Sequence, residues 1–96
     1  MLLALDYDET YTRDPIFWDQ VIDLAKSRGH SVICVTMRGD KPWEADEVRE
    51  ALQDRVEAII FTNRKAKRKF VAEAGCYYPS VWIDDSPNFI IFDAHH

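Results

Sequence analysis

Leu2 to Leu5 form an uninterrupted apolar run that breaks abruptly into Asp6, followed by a second carboxylate at Asp8 and a hydroxyl at Thr10. A short apolar run without alternation is the pattern of a strand buried on both faces, and strands of that kind belong to parallel sheets covered by helices. Ligands of open α/β sheets bind at the carboxyl ends of the strands. Asp6 falls at such an end, and two carboxylates two residues apart at that point can face a single cation.

The rest of the chain repeats the alternation this strand requires. Asp14-Pro15 predicts a helix start, with Asp14 as N-cap and Pro15 at the first helical position. Phe17, Val21, Leu24 and Ala25 follow as an apolar stripe at helical spacing, and Gly29 marks the stop. Ser31 to Thr36 is a second β-branched strand ending in a hydroxyl. Pro42 begins a second helix with Ala45, Val48 and Leu52 as its inner positions. Val56 to Phe61 is a third strand, and Asn63 is the expected cap of a third helix running to about Ala74. Val81 to Ile83 is a fourth strand that ends in Asp84-Asp85. Ser86-Pro87 reads as one more helix start, capped by Ser86, and Phe89 to Phe92 as one helical turn or a short fifth strand.

Strands alternating with helices of this length give right-handed crossovers and a parallel sheet. The expected fold is a Rossmann-like three-layer α/β/α sandwich of four strands, with the fifth rudimentary, in one domain over residues 1–96. A chain of this size buries about 60–65% of the surface its unfolded form exposes, so the core is modest. A formal charge of -5 argues against a protein that coats nucleic acid, which is usually basic. Cys34 lies inside an apolar strand and Cys76 elsewhere, without metal-ligand spacing, so reduced thiols are expected rather than a disulfide. No apolar run approaches the roughly 20 residues of a membrane span and no signal segment is evident. The expectation is a cytoplasmic protein that does not engage membranes; its oligomeric state is unreadable. His95 and His96 are assigned no role.

In a parallel sheet the strand ends share one edge, so Asp6 and Asp8 can meet Asp84 and Asp85, although Asp84 lies 76 residues after Asp8. Such a cluster needs a cation or a proton to relieve its repulsion, and hard oxygen ligands favour Mg²⁺. The blander alternatives are an Asp8 turn and a helix-capping role for residues 84–87, but two adjacent acids after a buried strand exceed what a cap needs.

Taken in order, these segments resemble the motifs of the haloacid dehalogenase-like (HAD) phosphohydrolase superfamily. Leu5-Asp6-Tyr-Asp8-Glu-Thr10 is similar to the first, Val35-Thr36 to the second and Ile83-Asp84-Asp85-Ser86-Pro87 to the fourth; Lys67 stands for the lysine of the third. The resemblance spans residues 1 to 87. It implies a HAD-like phosphatase in which Asp6 is the nucleophile that forms an aspartyl-phosphate, and Asp8 the general acid and then base. Asp6, the Asp8 backbone carbonyl and one of Asp84 or Asp85, with Asp85 favoured, would hold Mg²⁺. Thr36 would bond the phosphoryl oxygens, and Lys67 would neutralise charge on phosphoryl group and nucleophile.

Lys67 belongs to the basic run Arg64-Lys65-Ala66-Lys67-Arg68-Lys69 and precedes Phe70 and Val71 by three and four residues, which places it on the inward face of the helix. Lys65 is the runner-up for its role, and Arg38, just beyond Thr36, is a further candidate for phosphate. Many members of the superfamily have Gly after the second Asp, where this chain has Glu9. The stretches 9–14 and 37–42 are too short to form a cap over a small substrate. An open site of this kind fits a phosphorylated nucleotide, a nucleic-acid end or a phosphoprotein. Tyr11, Trp43, Tyr77 and Tyr78 stand near the expected rim, where a base would stack, though packing is the commoner role for each. The alternative from another class is a non-catalytic protein that keeps the fold to bind phosphate or a partner. A receiver domain is ruled out by position, because its phosphorylated Asp follows the third strand, which here ends in Phe61-Thr62-Asn63.

Overall fold

The computed structural model describes residues 1–94, so His95 and His96 lie outside the described residues. Four strands, β1 (Leu2–Leu5), β2 (Ser31–Thr36), β3 (Ala58–Phe61) and β4 (Val81–Ile83), form one all-parallel sheet in the order β3-β2-β1-β4. Four helices connect and follow them: α1 (Pro15–Ser27), α2 (Pro42–Leu52), α3 (Lys67–Gly75) and the single turn α4 (Asn88–Ile91). The register sets Leu5 beside Cys34 on one flank and beside Ile83 on the other. Residues 88–91 are helical, so the rudimentary fifth strand does not form, and the sheet ends at β4.

Side chains alternate across the strands and divide the core in two, as the period of two requires. Leu5, Val32 and Cys34 face Ile22 and Ala25 of α1 and Val48 and Leu52 of α2. Ala4, Ile33 and Val35 face Val71 of α3, with Tyr77 and Trp82 packed beside them. Helices therefore cover both faces, a Rossmann-like α/β arrangement. The order of the strands follows: the chain steps from β1 to β2 to β3 along one face, then returns through α3 on the other to lay β4 against β1. The reversal falls between β1 and β4, which is where sheets of this type place their ligands.

Local chemistry explains most element ends. Asp14 accepts a hydrogen bond from the Phe17 amide at 3.2 Å, with Pro15 at the first helical position. Gly29, at φ +83°, supplies the left-handed residue beyond α1. Ala45, Val48 and Leu52 are fully buried, as expected. Four details differ. The inward stripe of α1 is Trp18, Ile22 and Ala25, while Phe17 and Leu24 are exposed. β3 begins at Ala58 rather than Val56. Asn63 does not cap α3: Asn63 and Arg64 both take positive φ in a turn, and the helix begins only at Lys67. The amide of Ala66, immediately before the helix, is served instead from beyond α4, where the Asp93 carboxylate accepts from it at 2.6 Å. Ser86 likewise does not cap α4 through its side chain.

Both cysteines are free thiols, Cys34 buried and Cys76 exposed. Burial pushes the Cys34 thiol up and keeps it protonated. Among the described residues no helix is long and apolar enough to cross a membrane.

Candidate active site

The carboxyl ends of β1 and β4 and the start of α3 deliver four charged side chains to one point. Lys67, at the first turn of α3, is 2% exposed and places its Nζ 2.8 Å from Asp6 Oδ1 and 2.5 Å from Asp84 Oδ2. Asp6 is 8% exposed and is fixed through its backbone, its amide donating to Ile83 O at 2.9 Å. Its other oxygen, Oδ2, lies 3.1 Å from Thr10 Oγ1, which is also 3.3 Å from Asp85 Oδ1 and accepts from the Asp85 amide at 3.2 Å. Ser86 closes the cluster: its amide donates to Asp84 Oδ1 at 2.9 Å, and its hydroxyl lies 3.3 Å from Asp85 Oδ2.

Asp6, Asp84 and Asp85 each present an oxygen to a shared space, all within 4.8 Å of one another. Three carboxylates, with Asp6 buried, Asp84 partly buried and Asp85 exposed, against one buried ammonium leave an excess of negative charge. The consequence falls on Asp6, whose carboxyl is pushed up to about 7 by burial above all, against the downward pull of Lys67, with Asp85 and Asp84 adding to the rise. Asp85 goes the other way. Burial raises it, but hydrogen bonds from Asp6, Thr10, its own backbone and Ser86 outweigh that and leave it below the usual carboxylate range. The cluster is short of positive charge, and either a proton on Asp6 or a cation among the oxygens supplies it. The donors are hard oxygens from carboxylates, the set that suits Mg²⁺.

A cleft of about 260 Å³ opens over this cluster. Thr36, 1% exposed, lines it from the end of β2, and its Oγ1 accepts from the Arg38 amide at 3.3 Å. Asp8 lines it too, but its carboxylate is taken up by Arg38: Nε lies 2.9 Å from Oδ2 and Nη2 2.7 Å from Oδ1. The same guanidinium lies 5.1 Å above the Tyr7 ring and donates through Nη1 to Glu44 O at 2.8 Å. Arg38 is thus committed to Asp8 and to α2 rather than to the cleft. Lys65 lines a separate hollow with Lys69, Glu73 and Asp93. Of the two lysines proposed for the site, the structure brings Lys67 to Asp6.

Glu9 adopts φ +62°, the left-handed conformation that glycine takes without cost. Its amide donates to Thr12 Oγ1 at 3.0 Å, and its carboxylate pairs with Arg13 at 2.9 Å, contacts that hold the turn despite the side chain. A further polar cluster, Arg64–Glu44 at 2.5 Å with Gly39 N donating to Glu44 at 3.1 Å, joins the loops after β2 and β3. The Gly39 amide and Arg64 together hold the Glu44 carboxyl below its ordinary range.

The aromatic residues expected at the rim do not line the cleft. Tyr11 is core, with its hydroxyl on Asp19 at 2.8 Å; Tyr77 packs under the sheet; Trp43 and Tyr78 are exposed elsewhere. Phe89 and Met37 line it instead. Thr10 and Ser86, which knit the carboxylates together, stood in the sequence within the first and fourth motifs, Ser86 as an expected helix cap, with no role in the site assigned to either. The fold and site together define a Rossmann-like α/β protein with an acidic cluster and one buried lysine at the reversal of its sheet. The chain matches no family model, no curated protein and no solved structure.

Proposed function

We propose that this protein is a Mg²⁺-dependent phosphomonoesterase of the HAD type working through Asp6. The observation that carries the reading is the convergence of Asp6, Lys67, Asp84 and Asp85 in one place from three separate elements. In the proposed reaction an Asp6 oxygen attacks phosphorus and the bond from phosphorus to the leaving oxygen breaks. Asp8 gives that oxygen a proton. Water then attacks the aspartyl-phosphate and loses a proton to Asp8, releasing inorganic phosphate and restoring Asp6. Lys67 and the Thr36 hydroxyl hold phosphoryl oxygens as charge builds on them.

Asp6, Asp85 and the Asp8 backbone carbonyl are the proposed metal ligands. Asp85 is preferred to Asp84 because the Asp84 oxygens are held by the Lys67 ammonium at 2.5 Å and the Ser86 amide at 2.9 Å, whereas those of the more exposed Asp85 meet hydroxyls at 3.3 Å. Bound there, Mg²⁺ would offset the carboxylate charge and polarise the phosphoryl group. Asp84 then acts by positioning Lys67. For Asp8 to exchange protons with a substrate, its carboxylate must leave the fork of Arg38. That one contact also supports the second reading, a phosphate-binding protein without turnover.

The test is phosphate release from an aryl phosphate with Mg²⁺, comparing the native protein with Asp6→Asn. Release that requires Mg²⁺ and is lost in the variant is the expected result. Release that survives in Asp6→Asn overturns the mechanism, and none from the native protein favours the binding reading.

A further inference from the structure

The floor of the cleft is explained by its phosphoryl chemistry, but two side chains in its wall are not. Of the ten residues that line it, eight are polar or charged, and the other two are Met37 and Phe89. They come from the segments after β2 and β4, the strands on either side of β1, so their backbones flank Asp6 from opposite sides. Phe89 is held in place. Its neighbour Ile90 is buried, α4 packs against α3, and the Phe89 amide donates to Ser86 O at 3.0 Å. Fixed this way, Phe89 stays 37% exposed and lines the cleft. An apolar wall beside an anion site contributes nothing to holding a phosphoryl group. It is complementary to whatever the phosphoryl group is attached to.

Charge narrows that partner further. The cleft is lined by five carboxylates, Asp6, Asp8, Glu9, Asp84 and Asp85, and by one cation, Lys67. Arg38 and Arg13 pair with Asp8 and Glu9 from outside it. One divalent cation brings this set near neutrality, which suits a single phosphoryl group and gives nothing to neighbouring phosphates. Lys65 and Lys69 line another hollow, so the basic run reaches the cleft only through Lys67. The engaged state of Asp8 points the same way. A phenolic oxygen, with a pKa of about 10, leaves as a much weaker base than an alkoxide and asks less of a general acid.

We propose that Phe89, with Met37 across the cleft from it, selects phosphate monoesters carried on a single uncharged aromatic ring, with the ring lying against Phe89. The proposal rests on the phosphohydrolase reading and names its substrate class: aryl phosphates, whether on a small phenol or on a tyrosine side chain.

Binding is measured apart from turnover, by calorimetry with Mg²⁺ present. Phenylphosphonate is expected to bind the native protein about tenfold more tightly than methylphosphonate. Phe89→Ala should bring the two within about twofold while leaving methylphosphonate unchanged, and Phe89→Leu should fall between. Equal affinities in the native protein, or a preference that survives Phe89→Ala, overturn the proposal whether or not any ester is hydrolysed. Turnover then compares phenyl phosphate, a phosphotyrosine peptide, glycerol phosphate and an oligonucleotide with a terminal phosphate. Faster hydrolysis of either aryl ester that is lost in Phe89→Ala supports the proposal, and the faster of the two identifies the source; an aryl advantage that survives Phe89→Ala is leaving-group reactivity and overturns it. Preference for the oligonucleotide overturns the ring selectivity and leaves the Asp6 chemistry standing. A phosphonate preference with no turnover of any ester supports the wall and overturns the hydrolase reading alone.

Discussion

Two ionic clusters stand side by side at the carboxyl edge of the sheet, built from the same kinds of side chain at nearly the same distances. On the α3 side Lys67 bridges Asp6 and Asp84 at 2.8 and 2.5 Å. On the α2 side Arg38 holds Asp8 at 2.7 Å and Arg64 holds Glu44 at 2.5 Å. What separates them is water. The side chains of Lys67, Asp6 and Asp84 are 3%, 9% and 3% exposed, whereas those of Arg38 and Asp8 are 23% and 49% exposed. Attraction between charges grows severalfold as the surroundings lose water, and so does the cost of leaving one unpaired. The inner cluster is therefore a place where charge must balance. The outer cluster can exchange partners at little cost, which a rim residue such as Asp8 needs if it is to meet a substrate.

The contrast can be broken most sharply at Lys67. Lys67→Met leaves three clustered carboxylates without their ammonium. It should lower unfolding stability at pH 8, without divalent cations, by about 3 kcal/mol in urea denaturation. Added Mg²⁺ should recover part of the loss, because the cation supplies the missing charge to the folded state only. A loss under about 1 kcal/mol would mean that the inner cluster is as well solvated as the outer one.

The second effect is a pH dependence. The folded Asp6 carboxyl titrates near 7 against an ordinary 3.8, so between these values the folded state holds a proton that the unfolded chain has lost. Stability contributed by this group is present in full below about 4, falls as pH rises through the window and is gone above about 7. Asp6→Asn removes the titration. In metal-free urea titrations the native protein should lose about 3–4 kcal/mol relative to Asp6→Asn between pH 4 and 8. Asp6 is thus expected to be destabilising where it is ionised. Parallel pH profiles for the two proteins would contradict that.

The smallest effect belongs to the outer cluster. A double-mutant cycle on Arg38→Gln and Asp8→Asn should give a coupling below about 1 kcal/mol, weakened further by 0.5 M salt. A coupling above about 2 kcal/mol would erase the distinction between the clusters.

The inner cluster was legible in the sequence and the outer one was not, for a physical reason. Asp6, Asp84 and Asp85 directly follow buried strands, and Lys67 precedes Val71 on an inward helix face, so regular backbone geometry aims all four. Asp8 and Arg38 lie in loops, and their pairing depends on side-chain directions that no periodicity encodes. The same limit explains α1, where apolar residues occur on two faces and spacing alone favoured Phe17 and Leu24 over Trp18 and Ile22. It explains Phe89 as well: of the four aromatics expected at the rim, Tyr11 and Tyr77 are taken into packing and Trp43 and Tyr78 are exposed away from the cleft. Strand order was readable only as parallel, because which flank of β1 receives β4 is settled by the face on which α3 crosses. The start of α3 was misread because Asp93, 30 residues beyond Asn63, provides the contact that a local cap would have made.

The reversal of the sheet between β1 and β4 also has a consequence in time. Asp6 is synthesised almost 80 residues ahead of Asp84 and Asp85. β1, α1 and β2 can begin to associate on a growing chain, but the acidic cluster is complete only when β4 docks against β1. Until then Asp6 faces neither Asp85 nor a Lys67 steadied by Asp84. The acidic cluster is therefore assembled late, after β1, β2, β3 and α3 have been translated.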